Sequence, residues 1–212
     1  MTMVAIDLPP PKIRPKPIWT KVAKGRQLVR MYHPNRFGAT ELSFRDYGPI
    51  SRFDHHRIPI NRDVERGIMY AGTTLSCCIV EIFGDSKIVQ VDGWMVALIT
   101  TKRDLTLLEL RGKGAMRAGT VASISKDSNR EFSQAWSRYF YENPFLYEAI
   151  DGLVFSNAHN EEESFALYET CSDALECTQG QFIELSDSTL RTEVLLAASE
   201  NNLKVAPYQA TT

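Results

Sequence analysis

At 212 residues, with a formal net charge of −2 and acidic and basic side chains interspersed, the chain is sized for one domain with a substantial core. Composition gives no reason to expect nucleic-acid or anionic-membrane binding. Its four cysteines, Cys77, Cys78, Cys171 and Cys177, suit neither a zinc knuckle nor a secreted disulfide framework; no apolar run approaches the ~18 residues of a membrane span, and the N-terminus lacks a signal-peptide pattern, so a soluble, reduced, cytoplasmic protein is expected.

Residues 1–18 hold five prolines and three basic residues, which predicts an extended, flexible arm ahead of a domain over residues 19–212. Residues 26–32, RQLVRMY, read as a strand with Leu28, Arg30 and Tyr32 on one face and Val29 and Met31 on the other. Arg30 there either pairs with a structural acid or presents its fork to a phosphate. Residues 33–61 are turn-rich and dense in Arg, Asp, His and aromatics. A loop of that length commonly lines a site, here one suited to an anionic, ring-containing ligand. Within it Asp54, His55 and His56 invite a metal, but adjacent histidines point apart in extended chain and no third ligand is spaced to join them, so local hydrogen bonding is the expectation.

Residues 67–84, GIMYAGTTLSCCIVEIFG, read as strand, turn and helix. Ile68, Met69 and Tyr70 form the strand, Thr73 or Thr74 caps the helix, and Leu75, Cys78, Ile79 and Ile82 make its core stripe. Val80 and Phe83 widen the apolar surface, leaving Glu81 as the one full charge. Periodicity alone reads Glu81 as a solvated flank; otherwise such a carboxylate is partnered, shifted in pKa or functional. Residues 87–91 and 94–100 are predicted to form a hairpin about Asp92-Gly93, and 105–110 another strand. Residues 111–119, RGKGAMRAG, lack the order of a phosphate loop and read as a loop or frayed helix. Residues 129–142 form a capped helix whose Phe132, Trp136, Tyr139 and Phe140 go to the core. Strands follow at 153–156, ending in Ser156, at 164–169 and at 181–185. A last helix over 188–199 turns Leu190, Val194, Leu195 and Ala198 inward.

Taken together, SRFD (51–54), GIMYAG (67–72), VEIF (80–83) and DGLVFSN (151–157) resemble, in their order, the RES domain over about residues 26–169. That family's characterised members include NAD-degrading toxins of bacterial toxin–antitoxin pairs. The resemblance implies an α+β, ADP-ribosyltransferase-like fold, with a mixed β-sheet core and flanking helices. It implies NAD as substrate without a further cofactor or metal, and a cognate, Xre-like antitoxin as partner, with a homo-oligomer possible. Arg52, Tyr70, Glu81 and Ser156 occupy the motif positions, and Arg30 resembles the family's early arginine. By that likeness Glu81 would stabilise an oxocarbenium-like ribose while Arg52 and Arg30 fork onto the diphosphate. Tyr70 would bound the ribose or a ring, and Ser156 would position a ribose or amide oxygen. The stretch between Arg52 and Tyr70 leaves Arg57, Arg62 and Arg66 as further candidates for the phosphate. A basic residue is expected after Ser156, where Asn157-Ala158-His159-Asn160 stands. NAD glycohydrolysis is the expected activity. A protein ADP-ribosyltransferase is the first alternative and a non-enzymatic interaction module the second.

Overall fold

The computed structural model describes residues 5–207. The chain runs β1 (Trp19–Val22), β2 (Gln27–Tyr32), the short β3 (Tyr47–Gly48) and β4 (Asn61–Arg62), β5 (Ile68–Gly72), α1 (Leu75–Phe83), β6 (Ile88–Val89), β7 (Met95–Thr101), β8 (Leu105–Glu109), α2 (Lys113–Ala118), α3 (Arg130–Glu142), α4 (Pro144–Tyr147), β9 (Gly152–Ser156), β10 (Glu163–Tyr168), β11 (Leu175–Glu176), β12 (Phe182–Glu184), α5 (Arg191–Glu200) and β13 (Lys204–Val205). No described helix is long and apolar enough to cross a membrane.

A nine-stranded sheet runs β1-β8-β9-β10-β5-β2-β7-β11, with β12 also on β7. Its ladders are antiparallel except for β8 beside β9. The alternation read along β2 holds: Leu28 and Tyr32 enter one apolar cluster, Met31 and Val29 the other. Between β5 and β2 the sheet is nearly split, since the two strands meet at a single register pair, Val29 opposite Gly72. At that pinch α1 crosses closely. Cys78 Sγ donates to the Val29 carbonyl at 3.2 Å, and a Cβ on Gly72 would lie 2.8 Å from Cys77 Sγ, so only glycine fits there without a shift. Further along, residues 43–45 fill the gap: Arg45 and Ile68 exchange backbone hydrogen bonds of 2.9 and 3.1 Å, and Arg30 donates to the Ser43 carbonyl at 2.6 Å.

Four sequence expectations are corrected. Residues 87–100 form no hairpin. Instead β6 pairs in parallel with β13, because burying Val89 and Val91 in the cluster shared by α1 and α5 outweighs a solvent-facing turn. Residues 111–119 contain a true helix, α2. In α5 the inward stripe is Val194, Ala197 and Ala198, whereas Leu195 faces out at 48% exposure. The stripe rotates because small residues let α5 approach α1, where Asn201 donates to Ser76 Oγ at 3.1 Å. Finally, residues 5–18 have no helix or strand but are not a free arm. Trp136 Nε1 donates to the Asp7 carbonyl at 2.7 Å. Lys16 and Arg117 also exchange hydrogen bonds of 2.8 and 2.7 Å.

Candidate active site

The split between β2 and β5 opens as a cleft with two compartments that meet at Met31 and Tyr70. The first, about 90 Å³, is lined by Gly72, Cys77, Cys78, Glu81, Ile82, Phe155, Ser164 and Phe165. Glu81 reaches it from α1, whose capping is as predicted: Thr74 Oγ1 accepts from the Cys77 backbone N–H at 2.9 Å. The Glu81 side chain opens to solvent at the cleft mouth. Even so, its packed surroundings raise the carboxyl pKa above the ordinary value, opposed in turn by Arg52, His159 and Arg130. Arg52 experiences the converse. Burial lowers its pKa and the nearby Glu81 carboxylate opposes that shift. The two groups thus feel each other's charge, although Arg52 itself lines neither compartment.

Arg52 is aimed by its loop and not by its own contacts alone. Its Nη1 donates to the Asp127 carbonyl. Four side chains from one face of α3 then donate to the carbonyls around it: Arg130 to Ile50 at 2.8 Å, Gln134 to Ser51 at 3.0 Å, Ser137 to Phe53 at 2.7 Å and Arg138 to His56 at 2.9 Å. Phe53 is fully buried against Phe155, with ring centroids 4.7 Å apart. Tyr70 ties β5 to the same loop. Its hydroxyl accepts from the Phe53 N–H at 2.9 Å and donates to Asp54 Oδ1 at 3.0 Å. Burial, then the Asp54 charge, hold its pKa well above the ordinary phenol value. With that hydroxyl committed, the remaining surface Tyr70 offers the cleft is its ring.

The other predicted residues separate. Arg57 pairs with Asp63 and Glu65, Arg62 with Asp46, and the buried Arg66 with Glu142. Of the four arginines considered for this loop, only Arg52 figures in the field at Glu81. Arg30 lines the second compartment but is buried, with pKa lowered to about 10 by desolvation, and two of its nitrogens are engaged by Ser43. Ser156 does not line this cleft. It faces a separate depression with Arg111 and Lys126, while Ser164 and Cys77, 3.1 Å apart, supply polar atoms to the cleft. Asp54 makes the expected local hydrogen bonds, accepting from the Ile50 and Ser51 N–H groups at 2.6 and 2.8 Å, but His55 and His56 do not: their partners are the distant Glu169 Oε2 and the Arg45 carbonyl, both at 3.0 Å. Among the described residues no cluster could hold a metal ion.

Sequence reasoning missed Arg130, whose charge bears on Glu81, and Arg36, which lines the second compartment. Neither lies in a motif, although Arg36 belongs to the turn-rich, basic loop whose composition suits the lining of a site. His159 stands in the stretch after Ser156 where the resemblance leads one to expect a basic residue, and it contributes to the field at Glu81.

No curated protein sequence matches the chain. A solved structure does: a crystal structure of the M. tuberculosis MbcT–MbcA toxin–antitoxin complex aligns with TM-score 0.55 at 14% identity, over 82% of this chain and 90% of that one. At such low identity the likeness speaks for the fold, an α+β, ADP-ribosyltransferase-like arrangement. The RES domain model matches residues 27–187, well over half of the sequence, and the chain belongs to the RES domain family.

Proposed function

We propose that this protein is an NAD glycohydrolase and the toxin of a toxin–antitoxin pair. The observation that carries the reading is a carboxylate, Glu81, lining the cleft between β2 and β5, with the Arg52 guanidinium near enough for each to oppose the other's pKa shift. Nicotinamide is a cationic leaving group. When its bond to ribose C1′ breaks, the electron pair goes to the ring nitrogen and positive charge develops on the sugar. An ionised Glu81 at the cleft mouth stabilises that charge as it forms, which is binding realised in the transition state. Arg52 opposes the raised pKa of Glu81 and offers its remaining donors to substrate oxygens. The Tyr70 ring bounds the sugar at the junction of the compartments. Water then bonds to C1′ and gives up a proton, leaving ADP-ribose. The structural neighbour's toxin–antitoxin complex supports a cognate antitoxin, Xre-like by family, as partner.

The geometry favours water over a protein acceptor. A transferase in related folds often carries a second acid two residues before the catalytic one. That position here is Ile79, fully buried in the helix core, and cannot serve as a base. With labelled NAD, free ADP-ribose should match nicotinamide release mole for mole. Glu81→Gln should retain the fold by thermal melt and lower single-turnover release by about 10²-fold or more, the scale of losing one preorganised electrostatic group. Near-normal release by the folded variant would overturn the assignment, and acid-stable label accumulating on protein would make the enzyme a transferase.

A further inference from the structure

The second compartment, about 180 Å³, is lined by Arg30, Arg36, Phe37, Ser43, Arg45 and Asp46, among others. It continues the Glu81 compartment past Met31 and Tyr70, so a ligand whose ribose lies near Glu81 extends into it. We infer that Arg36 is the diphosphate-binding arginine of this cleft. The inference rests on the NAD reading above and names the residue that recognises the ADP half.

Three arginines line the compartment, and the structure leaves one of them open. Arg30 donates to the Ser43 carbonyl at 2.6 Å and to Ser43 Oγ at 3.3 Å, and is 6% exposed. It anchors the wall and has little left for a ligand. Arg45 spends one nitrogen on both Asp54 oxygens at 2.8 Å and another on the Tyr47 carbonyl. Arg36 is exposed, and its guanidinium lies 5.0 Å from the Trp94 ring centroid. A ring face orients a guanidinium without consuming its N–H donors, so the planar fork is held yet free for two phosphate oxygens. Trp94 in turn packs edge-on to Phe83 of α1 at 5.5 Å. The platform under Arg36 is therefore braced by the helix that carries Glu81, which fixes the span between the charge that meets the diphosphate and the carboxylate that meets the ribose.

A diphosphate contact persists unchanged from ground state to transition state. It contributes uniform binding, so its loss raises KM and leaves kcat alone. Calorimetric titration of wild type, Arg36→Ala and Arg36→Lys with ADP-ribose, beside steady-state kinetics on NAD, tests this. Arg36→Ala should weaken ADP-ribose binding and raise KM by about 10- to 100-fold, the range for losing one or two hydrogen bonds to a charged group. Its kcat and melting temperature should hold, and Arg36→Lys should recover only part of the affinity. Unchanged ADP-ribose affinity and KM in Arg36→Ala overturn the inference even if nicotinamide is released. So does a wild type that binds no ADP-ribose. Arg36-dependent binding of ADP-ribose by a protein that releases no nicotinamide would support the inference while refuting the glycohydrolase reading.

Discussion

A carboxylate set in a helix as apolar as α1 is desolvated at a cost unless cations stand near it. At Glu81 the two influences are opposed: burial raises its pKa, and Arg52, His159 and Arg130 pull it back. If the ionised form does the work, kcat falls as pH drops through that pKa, and the acid limb lies above the ordinary carboxylate value because burial is the larger influence. Arg52 is the largest opposing cation, so Arg52→Gln should move the limb to still higher pH as well as lowering its plateau. A limb that stays in place in Arg52→Gln, measured as kcat against pH, would remove Glu81 as the titrating group. In the sequence Glu81 stands out as a lone acid in an apolar helix, but periodicity alone reads it as a solvated flank, and its candidate role comes from the RES-domain motif order. Arg130 and His159 do not stand out, since nothing local marks a solvated helix terminus or a turn as facing one distant carboxylate.

At the scale of elements, the aromatic stripe of α3 was legible and its polar face was not. Trp136 and Phe140 repeat at helical spacing and are buried as that spacing predicts. The four donors Arg130, Gln134, Ser137 and Arg138 share the other helical periodicity, but their partners are carbonyls some eighty residues earlier. Periodicity reports which residues share a face and is silent on what that face meets. The proline-rich segment failed for the same reason. Its composition predicts an extended conformation, whereas residues 5–18 hold neither helix nor strand and bend at 9–10 and 12–13; composition cannot disclose that α3 offers Trp136 Nε1 to the Asp7 carbonyl or that Gly119 lies against Pro11. Deleting residues 1–18 uncovers Trp136 and leaves its N–H and Arg117 without these partners. A loss of about 2 kcal/mol follows from one or two hydrogen bonds plus apolar burial, which for a domain of this size lowers Tm by roughly 4–8 °C. An unchanged melt would show that the segment rides on the domain without stabilising it.

Across the whole molecule, a sheet opened between two strands needs its far side held by contacts other than the missing ladder, and Glu169, directly after β10, makes several of them. Its Oε2 accepts from His55 Nε2 at 3.0 Å and from the Gly67 N–H at 2.9 Å, and its Oε1 from the Tyr141 hydroxyl at 2.5 Å. One carboxylate so joins the loop that presents Arg52, the start of β5 that carries Tyr70, the end of β10 and helix α3. Burial alone would raise its pKa; the hydrogen bonds from His55, Tyr141 and Gly67 prevail and hold it at about 2, below the ordinary 4.5. Because the folded pKa is the lower one, this stabilisation is fully present above the unfolded value and is lost as pH falls through the window from 4.5 to about 2. Glu169→Gln keeps the shape, removes the charge and turns a donor toward groups that already donate, so at neutral pH it should cost about 2 kcal/mol. Its melting temperature should start below wild type at neutral pH and approach it on acidification, as the wild-type carboxylate protonates and loses the same advantage. Thermal melts of both proteins across that window decide it: curves that run parallel down to low pH would mean that Glu169 carries none of the acid sensitivity and that the cleft's far wall is held by packing alone.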